Sequence, residues 1–416
     1  MRVLEGCQRL SIEKTGRGPM RTVISTLRVV AAVLGLVVLA ACGGGGGKEA
    51  DLGTGTLRVA LTDAPSCGFD QVNITVSKVR VHQSGNAGEG AAGWSDIEIK
   101  PDPRKINLLD LMNGVLEELG QTRLPAGSYT QIRLVLERNT VRPLTNSVVP
   151  TGGAEQPLET PSAVQSGIKL NHTFTIEGNK LHDIVLDFDA CRSIVRRGNG
   201  TYGLKPVIKA LPRTQTEIVG TVDLALTGVV VSAQKDGEVI RETVPNSVGE
   251  FVLRPIDPAQ SPYDVTITAT DHATAVVAAV PVVSEMTTRI STTATPISLP
   301  PSGSPATHMV SGNVTPAAAA ALAGVRAPQA VGGVPQVEIA YVNADDTTGT
   351  YSLTLPIDAP VLATYALPLP LTFASESVSA GQYTIEAAAT GYVTQTAAVD
   401  LLSADATKDF ALVLAP

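Results

Sequence analysis

The sequence predicts a mainly β chain built from three sandwiches, and three observations support this. Apolar residues recur at every second position in many short runs separated by Gly, Pro, Asn and Asp, the pattern of half-buried strands joined by turns. Helical spacing occurs in one stretch, Leu108, Leu111, Met112, Val115 and Leu119, with Gly120 placed to cap it. Two later segments also repeat one another: "YDVTITATDHATAV" from Tyr263 aligns without gaps with "YTIEAAATGYVTQT" from Tyr383. The expected architecture is an N-terminal β-sandwich with one short helix, followed by two further β-sandwich domains.

Composition bounds the function classes. The chain has 416 residues, 44% hydrophobic and 17% charged, enough apolar material for two to four packed domains. A net charge of −8 and a pI near 5.3 argue against nucleic acid as a partner, which would favour a basic surface. Aromatic residues make up 4% of the chain, a thin supply for stacking on glycans.

Residues 29–41 carry no charge and follow Arg21 and Arg28. That is the form of a signal peptide and is too short to span a membrane. The stretch ends in Leu39, Ala40, Ala41 and Cys42, which resembles the lipobox of bacterial lipoproteins. The resemblance implies removal of residues 1–41, a diacylglycerol on the Cys42 sulfur and acylation, as by palmitate, of its freed amine. Each buried methylene adds about 0.8 kcal/mol and two lipid signals suffice for stable anchoring, so no transmembrane helix is needed. Gly43 to Gly47 begin a flexible tether over 42–55. Gly43 stands where Asp would retain such a protein in the inner membrane, which implies the outer membrane. Residues 1–19 fit poorly ahead of a signal peptide, so Met20 is the expected start.

Of the four cysteines, Cys7 and Cys42 are accounted for by this processing, leaving Cys67 and Cys191. An oxidising envelope compartment favours their pairing. A loop this long is worth on the order of 4–5 kcal/mol in the chain-entropy model. Two independent buried thiols are the alternative.

The first domain, 56–213, opens with Leu57, Val59 and Leu61 alternating with polar residues. In "VNITVSKVRVH" the apolar phase slips near Ser77, which predicts a β-bulge. In "IVLDFDAC" Ile184, Leu186 and Phe188 share one face while Asp183, Asp187 and Asp189 share the other. Were Cys67 and Cys191 joined, Asp63, Asp187 and Asp189 would come together, and their oxygens could hold Ca²⁺. Alternatively Asp63 caps its turn and the others are solvated or paired with Arg192, Arg196 or Arg197. No calcium-loop spacing is present, which favours this alternative. The motifs "LTDAPSCGFDQVNITVSKVRVH", "INLLDLMNGVLEELGQTRLPAGSYTQIRLVL" and "LDFDACRSIVRRGNGTYGLKPVI" resemble the bacterial DUF4382 domain, a family with no agreed activity.

The remaining divisions are 214–299, a Pro, Gly and Ser linker at 300–308, and 309–416. Gly220-Thr-Val recurs as Gly312-Asn-Val, and Gly249-Glu-Phe as Gly349-Thr-Tyr. The order of these landmarks resembles carboxypeptidase regulatory-like domains, which implies transthyretin-like, Ig-type sandwiches. The Ala, Pro and Gly-rich run Thr315 to Gln336 is expected to be an inserted loop.

No zinc-ligand spacing, nucleophile elbow or phosphate loop occurs. The chain is therefore expected to catalyse nothing and to take no obligatory cofactor. It would act as a lipid-anchored envelope protein whose sandwiches are structural or bind a glycan or protein ligand. A hydrolase with an unrecognised site in the first domain is the competing class, and it would require a concave pocket with perturbed titratable groups.

Overall fold

The computed structural model describes residues 53–64, 68–140 and 143–416. The expected signal peptide, Cys42, most of the expected tether and Cys67 lie outside the described residues.

In the first domain the strand Thr54–Asp63 buries Leu57, Val59 and Leu61, as their alternation predicts. It runs parallel to Leu181–Phe188 and antiparallel to Glu117–Pro125, and Ile208–Pro212 completes this four-stranded sheet. A second sheet is organised on the long strand Phe69–His82, and the inner side chains of the two sheets form one apolar cluster. The pairing of Phe69–His82 with Gln131–Leu136 shifts register between Val76 and Lys78, where the phase slip placed the bulge. The extra residue, Ser77, donates its hydroxyl to the Val135 carbonyl at 3.2 Å.

The expected helix is not formed. Leu108–Leu111 makes one 3₁₀ turn, capped by the Asn107 side chain accepting from the Leu109 amide. Asn113 and Gly114 then adopt φ of 56° and 75°, a left-handed pair that a right-handed helix cannot contain. The helical spacing arose from a turn followed by a strand: Leu108 and Leu111 are buried by the turn, Leu119 lies on the strand Glu117–Pro125, and Val115 is exposed.

The second domain orders its strands Glu250–Leu253, Glu217–Thr221, Thr287–Arg289 in one sheet. The other holds Glu238–Thr243, Val230–Lys235, Tyr263–Thr268 and Ala275–Val280. The third domain has the same plan, with Thr350–Pro356, Thr307–Thr315, Ala406–Thr407 facing Val337–Asn343, Gly324–Gln329, Gln382–Ala388 and Gln395–Asp400. The repeated residues have physical roles. Gly220 pairs with Phe251 and Gly312 with Tyr351, and a Cβ on Gly220 would stand 2.5 Å from the Phe251 ring. Gly249 and Gly349 take φ of 79° and 74° in the turn before each aromatic. The hydroxyls of Tyr263 and Tyr383 donate to the carbonyls of Asp257 and Pro356 at 2.6 and 2.5 Å.

The run from Thr315 to Gln336 departs from its expected role as a loop. Gly324–Gln329 is an inner strand with Val325 and Ala327 fully buried, an alternation that the Gly and Pro residues around it conceal. The insertion lies later in the domain. Val361–Thr364 pairs in parallel with Ala275–Val280, so a third-domain segment extends the second domain's sheet. Val361 is buried in that domain's core, with Tyr365, Leu371 and Phe373 packed against it.

A Cβ on Gly312 would overlap the Lys408 backbone carbonyl, which cannot rotate away. Gly312→Ala is therefore expected to lower stability by about 1–3 kcal/mol in urea unfolding. Gly303→Ala, at a position with open space, should leave the midpoint unchanged.

Candidate functional site at the junction of three domains

The parallel register sets Asp63 opposite Phe188, so the ends of two neighbouring strands bring Asp63, Asp187 and Asp189 to one place. Asp189 caps the short helix Ala190–Ser193, accepting from the Arg192 amide at 2.9 Å. One oxygen of the buried Asp63 accepts from the Ala190 amide at 3.0 Å, and its Oδ2 has no hydrogen-bond partner. Asp187 is on the face away from the core and forms an ion pair with Arg241 of the second domain. Arg192 sits 3.2 Å from Asp189, pairs with Glu338 of the third domain, and lies over the Tyr341 ring at 4.2 Å.

The sequence pattern thus located the aspartates, and the structure meets them with arginine and backbone amides. Among the described residues, no group of three or more His, Cys, Asp or Glu side chains is placed to hold a metal ion. The partner of Asp189 is Arg192, as one reading of the sequence allowed. The partner of Asp187, Arg241, comes from a strand more than 50 residues away that carried no local signal. Arg197 pairs instead with Glu159 and Asp346.

Residues 54–206 match the family model "Domain of unknown function (DUF4382)". No curated protein matches the chain. The DUF4382 match covers Asp63, Asp187, Asp189 and Arg192, whereas Arg241, Glu242 and Glu338 lie beyond it. The junction is therefore assembled by this chain's particular combination of domains. Cys191, in the helix that carries Arg192, is disulfide-bonded.

The domains also meet through polar contacts around this centre. The Gln234 amide of the second domain exchanges hydrogen bonds of 2.8 and 2.7 Å with the Glu338 backbone of the third, imitating a strand pair. Asn113 of the DUF4382 domain accepts from the Val252 amide at 2.6 Å and receives the Thr243 hydroxyl oxygen as acceptor for its own amide at 2.9 Å.

Ser232 stands in register between Glu242 and Thr266 on neighbouring strands, making a polar row across the second domain's sheet. This row, with Asp189, Arg192, Glu338 and Tyr341, lines a cavity of about 190 Å³. An adjacent cavity of about 150 Å³ shares Asp189, Arg192 and Glu242 and adds Asp187, Lys209 and Arg241. Burial, reinforced by Asp189 and Glu338 and opposed by Arg192, pushes the Glu242 carboxyl up to about 8. Burial likewise raises Glu338 to about 7 against the pull of Arg192 and Arg326. Asp63 is held well above the usual carboxylate range by burial and by Asp189.

A carboxyl whose pKa is raised by folding stabilises the fold fully below its unfolded value and loses that contribution as pH climbs through the folded value. For Glu242 the loss runs from about 4.5 to about 8. Glu242→Gln, uncharged and of similar shape, should be more stable than the parent at pH 9 by on the order of 1–3 kcal/mol. The gap should close at pH 5. Thermal unfolding at the two pH values measures it, and equal gaps at both would contradict the assignment.

Proposed function

We propose that this chain is a non-catalytic, lipid-anchored protein of the bacterial cell envelope, placed in the outer membrane through an acylated Cys42, whose folded part is a structural and ligand-binding unit. The observation that carries this reading is the junction: its carboxylates and arginines pair across three domains, a chemistry that joins surfaces. The two later domains support it as transthyretin-like, carboxypeptidase regulatory-like modules, since they share one strand order in two sheets. No helix among the described residues is long and apolar enough to cross a membrane, so an N-terminal lipid would supply the attachment. Cys67 is proposed as the partner of Cys191, pinning the helix that carries Arg192.

A glycan ligand would need an exposed aromatic face. The only tryptophan, Trp94, has the guanidinium groups of Arg80 and Arg133 within 5.0 and 4.9 Å of its ring. The junction cavity is thus the better place for a ligand.

One observation favours the second class, an envelope hydrolase. Glu242 and Glu338, both with raised carboxyls, line a single cavity, as an acid and base pair would. That cavity lies between the domains rather than within the first. Ester, glycoside and peptide hydrolysis screens with the parent and Glu242→Gln separate the readings: turnover abolished by the substitution establishes the hydrolase.

Radiolabelled palmitate is expected to enter the parent protein and not Cys42→Ala, and the parent to sediment with membranes. Label in both, or in neither, contradicts the anchor. The same preparation, mapped without reduction, should yield Cys67 linked to Cys191.

A further inference from the structure

The polar row of the second domain ends in groups that the protein itself leaves unsatisfied. Thr266 is 2% exposed and lines the 190 Å³ cavity, yet its hydroxyl has no hydrogen-bond partner. Glu338 is 6% exposed and lines the same cavity, and its Oε2 also lacks a hydrogen bond. The Arg326 guanidinium stands 3.8 Å from that oxygen and is engaged by Glu238 and Glu386 at 2.7 Å, while Arg192 pairs with the other oxygen of the same carboxylate. Ser232 between Glu242 and Thr266 completes a line of oxygen acceptors spaced about 4.5–5.5 Å apart at their Cβ atoms, as cross-strand neighbours are. Inside the cavity the carboxyls of Asp189, Glu242 and Glu338 oppose one guanidinium, that of Arg192.

An excess of buried negative charge is costly unless a cation or a proton compensates it. We propose that the cavity binds a small organic cation through a primary ammonium group, which donates to Glu242, Glu338 and Thr266. A metal ion fits less well, because it needs several oxygens converging at about 2.0–2.6 Å and no such group is present among the described residues. An ammonium instead offers three donors to separate acceptors. The cavity is smaller than the roughly 300–1,000 Å³ of sites for drug-sized ligands, so the cation is a short amine.

The raised carboxyls give the binding event a signature. Glu242 shares its cavity with Asp189 and Arg192 from the DUF4382 domain, Glu338 and Tyr341 from the third domain, and Ser232 and Thr266 from its own sheet, and it shares the adjacent cavity with Asp187, Lys209, Glu238 and Arg241. At neutral pH it carries a proton. An arriving ammonium favours the carboxylate, and the proton leaves to the buffer.

This inference deepens the ligand-binding part of the proposed function and does not depend on lipidation. Membrane attachment can hold while binding fails, and the reverse.

The test is isothermal titration of the detergent-purified full-length protein at pH 7.5 with ethylammonium chloride, in two buffers of different ionisation enthalpy. Saturable binding is expected, with proton release that makes the heat depend on buffer. Glu242→Gln should weaken it about 10-fold or more, and Thr266→Val severalfold with its shape kept. Tetramethylammonium, which has no N–H donor, should not bind. No saturable heat with ethylammonium up to 100 mM, or equal affinity for parent and Thr266→Val, overturns the proposal. Thr266→Val carries the comparison if Glu242→Gln does not fold.

Discussion

Taking a carboxylate or a guanidinium out of water costs several kcal/mol unless opposite charge and hydrogen bonds go with it. The arrangement of this molecule depends on how that demand is met around Arg192. Its guanidinium reaches Asp189 in its own domain and Glu338 in the third, and lies over the Tyr341 ring. Arg241 does the same for Asp187 from the second domain. Neither pair is complete until the domains have docked. Such pairs add little net stability compared with apolar residues of the same volume, while breaking one is expensive. On this account they fix the register of docking, and the apolar seam between Val361 and the second domain's core supplies the adhesion.

The same constraint explains why the junction holds raised carboxyls. Two arginines answer Asp187, Asp189 and Glu338 directly, whereas Asp63 and Glu242 are left with backbone amides or a cavity. Protonation is the least costly way to bury the remainder. A ligand ammonium is another, and the two exchange with pH.

Much of this architecture was legible in the sequence. Alternation located Thr54–Asp63 and the face of Leu181–Phe188 that carries Asp187, and a one-residue phase slip located the bulge at Ser77. The landmarks Gly220, Gly249 and Tyr263 and their counterparts identified a repeat because each is fixed by a local steric demand: room for a ring, a left-handed turn, a hydroxyl bond. Two readings failed for physical reasons. A 3₁₀ turn followed by a strand reproduced helical spacing at Leu108 to Leu119, and the strand Gly324–Gln329 looked like a loop because it carries Gly324 and Pro328 and follows an alanine-rich stretch. Of the site, the aspartates were visible and their partners were not. Arg241, Glu242 and Glu338 acquire meaning only when separate domains meet, and no pattern along the chain records that meeting.

Equilibrium unfolding in urea, followed by hydrogen exchange on peptides from each domain, tests the central claim most directly. With the junction intact, the three domains should lose protection in one cooperative transition. Arg192→Ala should split that transition, because it removes the guanidinium that joins Asp189 to Glu338 and leaves the buried Glu338 with only the more distant Arg326. Three separate transitions in the parent protein, or one unchanged transition in Arg192→Ala, would contradict the claim that the charged junction joins the domains.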